Sequence, residues 1–142
     1  MTNAKQLTDQ FWNLFETGRL DELTKLIDAD CHFKMPGMDL RGAPALVQML
    51  QAYRTAFPDM KHTVLHHVEA GDTIALELKV EGTHLGPMQL AAGAVPATGK
   101  KVVWESCDYI RVANGKVRSW HVYHDSLPFM AALGLVPPAA SS

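Results

Sequence analysis

Apolar residues in the first 60 positions recur at spacings of three and four, which is the period of an α-helix. The pattern predicts three helices: the first ends near Gly18, the second begins at Asp21, and the third begins at Pro44. Each helix has one apolar stripe for a protein core to cover. The stripes are Leu7, Phe11, Leu14 and Phe15; Leu23, Leu26 and Ile27; and Leu46, Met49, Leu50, Tyr53 and Phe57.

After residue 60 the period changes to two, which is typical of strands with one buried face. The predicted strands, including a short one before the third helix, are 31–35, 61–69, 74–81, 101–112 and 116–124. We expect loops at 37–42 and 86–100, the second of them mobile because it is rich in glycine, alanine and proline. A short helix at 127–133 follows. This order predicts an α+β fold, with three N-terminal helices packed on one face of a curved antiparallel sheet.

Length and charge limit the possible classes of protein. The 142 residues fit one domain at 1–136 with a disordered tail at 137–142. The net charge of −2, from 13 basic and 15 acidic residues, argues against a nucleic-acid-binding protein, which needs a basic face. The chain has no apolar run of about 18 residues for a membrane span and no apolar signal-peptide core at its start. We therefore expect a cytoplasmic protein with neither a nucleic-acid nor a membrane partner.

The last two strands meet at Asn114-Gly115, a hairpin signal, and their register decides which side chains share a face. A two-residue turn would pair Asp108 with His121, whereas a three-residue loop would pair Asp108 with Trp120. Only the three-residue loop puts the apolar faces of both strands on one side, so we favour it. The inward face then holds Val102, Trp104, Ser106, Asp108, Ile110, Trp120, Val122 and His124.

Asp108 is therefore predicted to lie among tryptophans and aliphatic side chains. Burial disfavours the charged form of a carboxyl and would raise the pKa of Asp108. A carboxyl with a raised pKa can serve as a general acid or base near neutral pH. The alternative is a buried structural aspartate that accepts hydrogen bonds from its neighbours.

Two histidines are further candidates. His84 lies in Gly82-Thr83-His84-Leu85-Gly86, where a strand ends and a loop begins. It could orient a substrate carbonyl or relay a proton, or it could simply anchor the loop. His124, the last residue of its strand, is predicted to be a rim group of the cavity rather than a catalyst.

A curved sheet covered by aromatic helices predicts a cavity for a flat or bulky apolar ligand. The residues expected to bind it are Trp12, Phe33, Met35, Phe57, Trp104, Ser106, Trp120, Val122 and His124. We expect no metal, because the histidines and the two cysteines lack ligand spacing. We also expect no cofactor, since no nucleotide-binding motif is present.

Several short segments, in their order and spacing over about residues 5–135, resemble the SnoaL-like polyketide cyclases of the nuclear-transport-factor-2-like and ketosteroid-isomerase-like superfamily. The segments are Phe57-Pro58-Asp59, Gly71-Asp72, Gly82–Gly86, Pro96–Lys100, Asp108–Arg111, Asn114–Val117, Trp120 with Asp125, and Leu133-Gly134. The resemblance implies a cone-shaped α+β barrel around a deep pocket, and a homo-oligomer, either a dimer or a tetramer. It also implies cofactor-free ring closure of a polyketide ester by an acid/base residue that removes a proton next to a carbonyl.

The catalytic residues of this family carry over only in part. The cyclases resembled here have a catalytic aspartate on the last strand, three residues before the position of Asp125, where this chain has Val122. Their second polar residue, a histidine on the preceding strand, corresponds to Asp108. The resemblance therefore implies Asp108 with His84 as the acid/base pair. The alternatives are a non-catalytic protein that binds a hydrophobic metabolite and an interaction module that pairs through its sheet.

Overall fold

A computed structural model describes residues 3–90 and 93–135. It has four helices among these residues, and they bury their apolar stripes against one sheet. The helices are α1 (Ala4–Glu16), α2 (Leu20–Thr24), α3 (Ala43–Ala56) and α4 (Ser126–Ala132). The strands are β1 (Ile27–Met35), β2 (Met38–Arg41), β3 (Lys61–Ala70), β4 (Thr73–Thr83), β5 (Met88–Leu90), β6 (Gly93–Val95), β7 (Lys101–Ala113) and β8 (Lys116–Tyr123). The tail predicted at 137–142 lies outside the described residues.

Six strands form one open, curved sheet in the order β2-β1-β8-β7-β4-β3, which confirms the α+β fold class. The sheet is mixed rather than wholly antiparallel, because β8 lies beside β1 and runs parallel to it. The sheet is not closed into a barrel, and β2 and β3 are its edges. The three N-terminal helices and α4 cover one face, and the other face is left uncovered by the described helices.

Two segments predicted as loops contain strands. Within 37–42, β2 pairs antiparallel with β1 after a turn at Gly37, whose φ of 79° suits glycine. Within 86–100, β5 and β6 form a two-stranded sheet of their own. These strands have four residues or fewer, which is too short for an alternating pattern to stand out from loop composition.

The β7–β8 hairpin has neither of the two registers considered from the sequence. The turn is the two-residue Asn114-Gly115, with φ of 53° and 74°, as a type I′ turn requires. A bulge then follows, because Arg111 pairs with Ser119 while Val112 pairs with Val117, so β8 has one extra residue, Arg118. The extra residue changes the pairing but restores the predicted face, and the favoured inward set is correct although its loop is not.

Candidate active site

A cavity of about 170 Å³, partly open to solvent, lies between the helices and the covered face of the sheet. Its wall is mostly aromatic and aliphatic, and five of the seven methionines of the chain contribute to it. Methionine side chains are flexible and polarisable, which suits contact with aromatic rings. The lining residues are Trp12, Phe15, Phe33, Met35, Pro36, Met49, Leu50, Tyr53, Met60, His62, Leu78, Val80, Met88, Trp104, Ser106, Asp108, Trp120, Val122, His124, Ser126, Phe129 and Met130.

Asp108 is the carboxyl group of this wall, and its side chain is held from two sides. The Ser106 hydroxyl donates to Oδ1 at 2.9 Å, and the Trp120 indole N–H donates to Oδ2 at 2.9 Å. Trp120 is fixed in turn by packing on Phe11, with ring centroids 4.7 Å apart. Asp108 is only 2% exposed, so it meets a ligand in the cavity rather than bulk water.

Burial raises the pKa of Asp108 to about 6, although the hydrogen bonds from Trp120 and Ser106 favour the charged form and oppose the rise. A carboxyl in this range exchanges between its ionised and protonated forms near neutral pH. It can therefore both remove a proton from a bound molecule and return one.

Val122 lies directly opposite Asp108 across the β7–β8 pair, and both side chains line the cavity. Residues opposite each other in an antiparallel pair have Cβ atoms about 5 Å apart. A carboxyl at either position would reach nearly the same part of the cavity.

The cavity wall has no lysine or arginine among the described residues, and Tyr53, His62, Asp108 and His124 are its titratable groups. Burial raises the pKa of Tyr53 to about 12, so its hydroxyl stays protonated. In the described part of the chain, no three histidine, cysteine or acidic side chains come close enough to hold a metal ion. The wall can therefore take a neutral, largely apolar molecule and offers no counter-charge to an anion.

Comparison with known families decides the relationship of this chain to other proteins. A family model described as SnoaL-like polyketide cyclase matches residues 2–133. The chain belongs to this family. The fold agrees with that membership, since solved structures similar to it in shape include one described as a SnoaL-like polyketide cyclase, from Jannaschia sp. CCS1.

Two named cyclases are similar in sequence. Aklanonic acid methyl ester cyclase DnrD from Streptomyces peucetius is 25% identical over 140 residues, covering 94% of this chain and 92% of that protein. Aklanonic acid methyl ester cyclase DauD from Streptomyces sp. (strain C5) is 26% identical over 126 residues, covering 84% of this chain and 74% of that protein.

Two solved structures show the same fold. AclR from Streptomyces galilaeus superposes with a TM-score of 0.80 at 23% identity, covering 96% of this chain and 84% of that one. TsrD from Streptomyces laurentii gives 0.78 at 19% identity, covering 93% of this chain and 95% of that one. None of the helices in the described residues has the length and apolar character needed to cross a membrane.

Most of the residues predicted for the site share this one cavity of the SnoaL-like fold. Those that line it are Trp12, Phe33, Met35, Trp104, Ser106, Asp108, Trp120, Val122 and His124. Phe57 is not part of the wall: it is fully buried behind it and packs against Trp104 and Phe129, with ring centroids 5.8 and 6.1 Å away. Phe57 therefore supports the wall instead of touching a ligand.

His84 is not among the cavity-lining residues either, so the structure does not bring it together with Asp108. It is fully buried, and its Nδ1 accepts from the Thr98 N–H at 3.2 Å and lies 3.0 Å from the Thr98 hydroxyl. Its backbone also bonds to Lys100 and Gly99. These contacts tie residues 98–100 to the end of β4.

Two titratable residues of the wall, Tyr53 and His62, were not predicted as site residues. Tyr53 is on the apolar stripe of α3, where its ring was assigned to the core. His62 is on β3, and its inward alternation with Val64 was the one available signal. Its pairing with Glu16, 46 residues away, has no local sequence pattern.

Proposed function

We propose that this chain closes a ring in an uncharged aromatic polyketide ester by intramolecular aldol addition, with Asp108 as the acid/base residue. The observation that carries the proposal is the placement of Asp108: a buried carboxyl, with a pKa near 6, on the wall of an apolar cavity. The two related cyclases named for aklanonic acid methyl ester, together with the family model described as a polyketide cyclase, support the substrate class.

The proposed reaction needs only one group that takes and returns a proton. The carboxylate of Asp108 removes a proton from the carbon next to the ester carbonyl and leaves an enolate. The enolate carbon attacks a ketone carbon of the same molecule, so a C–C bond forms as the ketone π bond breaks. The resulting alkoxide takes the proton back from Asp108, and the product is an isomer of the substrate.

The family chemistry can persist without the usual acid on the last strand, because Asp108 is the direct cross-strand partner of Val122. The carboxyl is then on the neighbouring strand but lies on the same cavity wall. Ser106 and Trp120 provide donors that stabilise the ionised carboxylate in this position.

The test is turnover of a panel of aromatic polyketide methyl esters, followed by chromatography of the products. We expect product formation above the buffer rate, and a loss of at least about 100-fold in Asp108→Asn, in line with the usual contribution of a general base. Asp72→Asn, the same change in the exposed β3–β4 turn, is the matched control and should keep full activity. Turnover that survives in Asp108→Asn would show that another group is the base.

A second candidate function is binding of an apolar metabolite without reaction. Val122 in the place of the family aspartate is the observation that favours it. Tight binding of the same esters without product, in both the wild type and Asp108→Asn, would select this alternative.

The family resemblance also leads us to propose that the chain forms a homo-oligomer through the uncovered sheet face. Exposed Val103, Tyr109 and Tyr123 on that face support this. Light scattering after gel filtration would measure the mass of the assembly.

A further inference from the structure

His62 is a second polar side chain on the cavity wall, and it lies on β3 whereas Asp108 lies on β7. The carboxylate of Glu16 accepts the His62 backbone N–H at 2.6 Å and lies 3.2 Å from Nδ1 of the ring. The ring stacks on Trp12, with centroids 3.7 Å apart and planes 16° from parallel. The side chain is only 5% exposed, so its position is set by α1 on one side and by the cavity on the other.

The bond to Glu16 fixes which ring nitrogen carries the proton. Burial would raise the pKa of Glu16, but its bonds with His62 outweigh burial and lower the pKa, so Glu16 is ionised and can only accept. Nδ1 of His62 must therefore donate. Burial lowers the pKa of His62 despite the attraction of Glu16, which keeps the ring neutral and leaves Nε2 as a lone-pair acceptor.

Nε2 is available to a ligand. It has no hydrogen-bond partner among the described residues. It is also not one of the nitrogens that are both unpartnered and fully shielded from solvent, such as Trp12 Nε1 and His124 Nδ1, and is therefore accessible. An acceptor that is accessible on the wall of an apolar cavity gains most from a ligand O–H.

The sheet register separates this acceptor from the proposed reaction centre. His62 pairs with Val80 of β4, whereas Asp108 pairs with Leu76 of the same strand. Four residues of extended strand correspond to about 13 Å between the backbone positions. Two indole rings lie between the two side chains: Trp12, which stacks on His62, and Trp120, which donates to Asp108, with ring centroids 4.9 Å apart. A flat molecule with its reacting end at Asp108 can therefore place its other end near His62.

From this geometry we infer that Nε2 of His62, oriented by Glu16, binds a phenolic hydroxyl at the end of the substrate remote from Asp108. This inference rests on the proposed function for the orientation of the substrate, and it specifies the substrate as a hydroxylated aromatic compound. His62 then determines specificity and has no part in the proton transfer.

Binding of paired probes tests the inference without turnover. The probes are 2-hydroxyanthraquinone and its methyl ether, which cannot donate, titrated against the fluorescence of the three tryptophans, all of which line the cavity. We expect the wild type to bind the hydroxyl compound about tenfold more tightly, as one good hydrogen bond provides. His62→Phe, which keeps a ring on Trp12, should bind both compounds equally, and His66→Phe on the exposed part of β3 should behave as the wild type.

A spectroscopic measurement on the wild type covers the case in which His62→Phe fails to fold. The ¹⁵N shift of His62 Nε2 should be that of an unprotonated ring nitrogen, and it should move when the hydroxyl probe binds but not with the ether. Equal affinities of the wild type for both probes, no binding of either probe, or a protonated Nε2 would overturn the inference. Because the probes carry no ester, loss of this discrimination and loss of ester turnover are separate results, and each proposal can fail alone.

Discussion

Asp108 and Val122 face each other across β7 and β8, and both contact the same cavity. The pair combines a titratable side chain with one that cannot move a proton. The resemblance places the family acid at Val122 and a histidine at Asp108, so this chain has one carboxyl in the pair and an apolar residue in place of the other polar group. The chemistry of the cavity then depends on the presence of one carboxyl in this pair rather than on the strand that carries it.

The double variant Asp108→Val/Val122→Asp should recover part of the turnover that the single variant Asp108→Val loses. The carboxyl would return to the last strand, where it lies about 5 Å from its present position. We expect a loss of at least about 100-fold in the single variant and recovery of about tenfold or more in the double variant, measured as kcat/KM. A double variant that folds but is no more active than Asp108→Val would contradict the equivalence of the two positions.

The activity should depend on the ionised form of Asp108. Because burial raises its pKa to about 6, kcat/KM should fall tenfold for each pH unit below about 6 and level off above it. The same profile in Ser106→Ala should have its midpoint at higher pH, because Ser106 donates to the carboxylate and favours its charged form. A profile that is flat between pH 5 and about 8 would exclude Asp108 as the base.

The raised pKa of Asp108 also predicts how the free energy of unfolding changes with pH. The pKa of Asp108 is about 6 in the folded protein against an ordinary value of 3.8, so the folded protein binds one more proton than the unfolded chain between these pH values. The stabilisation is complete below about pH 4 and is lost as the pH rises through 6. Relative to Asp108→Asn, the wild type should gain about 2 kcal/mol in free energy of unfolding from pH 7 to pH 4, since each pKa unit is worth about 1.4 kcal/mol and the unfolded chain already binds part of the proton at pH 4. Urea unfolding of both proteins at the two pH values measures it, and a difference that does not change with pH would show that Asp108 ionises freely.

The wild type should prefer a methyl ester to the corresponding free acid. No lysine or arginine lines the cavity among the described residues, so a carboxylate would be buried unpaired and near Asp108. We expect a preference of at least about tenfold in kcat/KM, or about 1.4 kcal/mol. Met49→Lys should reduce it by supplying a cation, whereas the neutral control Met49→Gln should not. Equal use of acid and ester by the wild type would mean that the carboxylate end stays outside the cavity.

His84→Ala should lower stability more than it lowers catalysis. The ring is buried, contacts Phe57 at a centroid distance of 5.4 Å, and bonds to Thr98. Its loss should cost about 2–3 kcal/mol in free energy of unfolding, while kcat/KM in the folded protein stays within a few-fold of the wild type. If instead kcat/KM falls 100-fold with unchanged thermal stability, His84 acts in the chemistry, as the family resemblance implies; about 100-fold is the usual lower bound for an acid/base group.

The sequence could predict which side chains of the last two strands face the cavity. Alternation alone placed Ser106, Asp108, Trp120 and Val122 on one side, because a wrong side would have buried polar residues and exposed both apolar strands. It could not predict the pairing, since the bulge at Arg118 depends on how the twisted hairpin packs. The hydrogen bond between Trp120 and Asp108 follows from the observed register, in which the two lie diagonally across the strands.

The Glu16–His62 pair shows what local pattern cannot supply. Glu16 ends α1 and His62 lies near the start of the edge strand β3, and only the docking of the helix on the sheet brings them together. Each residue by itself is an ordinary polar position. Their contact joins two side chains that are 46 residues apart along the chain, and a local pattern cannot predict it.

The single extra residue in β8 decides which side of the strand lines the cavity. Arg118 is exposed and lies outside the cavity, so its side chain can be exchanged freely. If the same residues paired regularly from the turn, with no bulge, every later residue of the strand would move by one, which would turn Ser119, His121 and Tyr123 towards the cavity and Trp120 and Val122 towards solvent. Removing residue 118 together with the bulge would leave Val122 opposite Asp108, so the cavity wall needs the extra residue and the bulge to be kept or lost together.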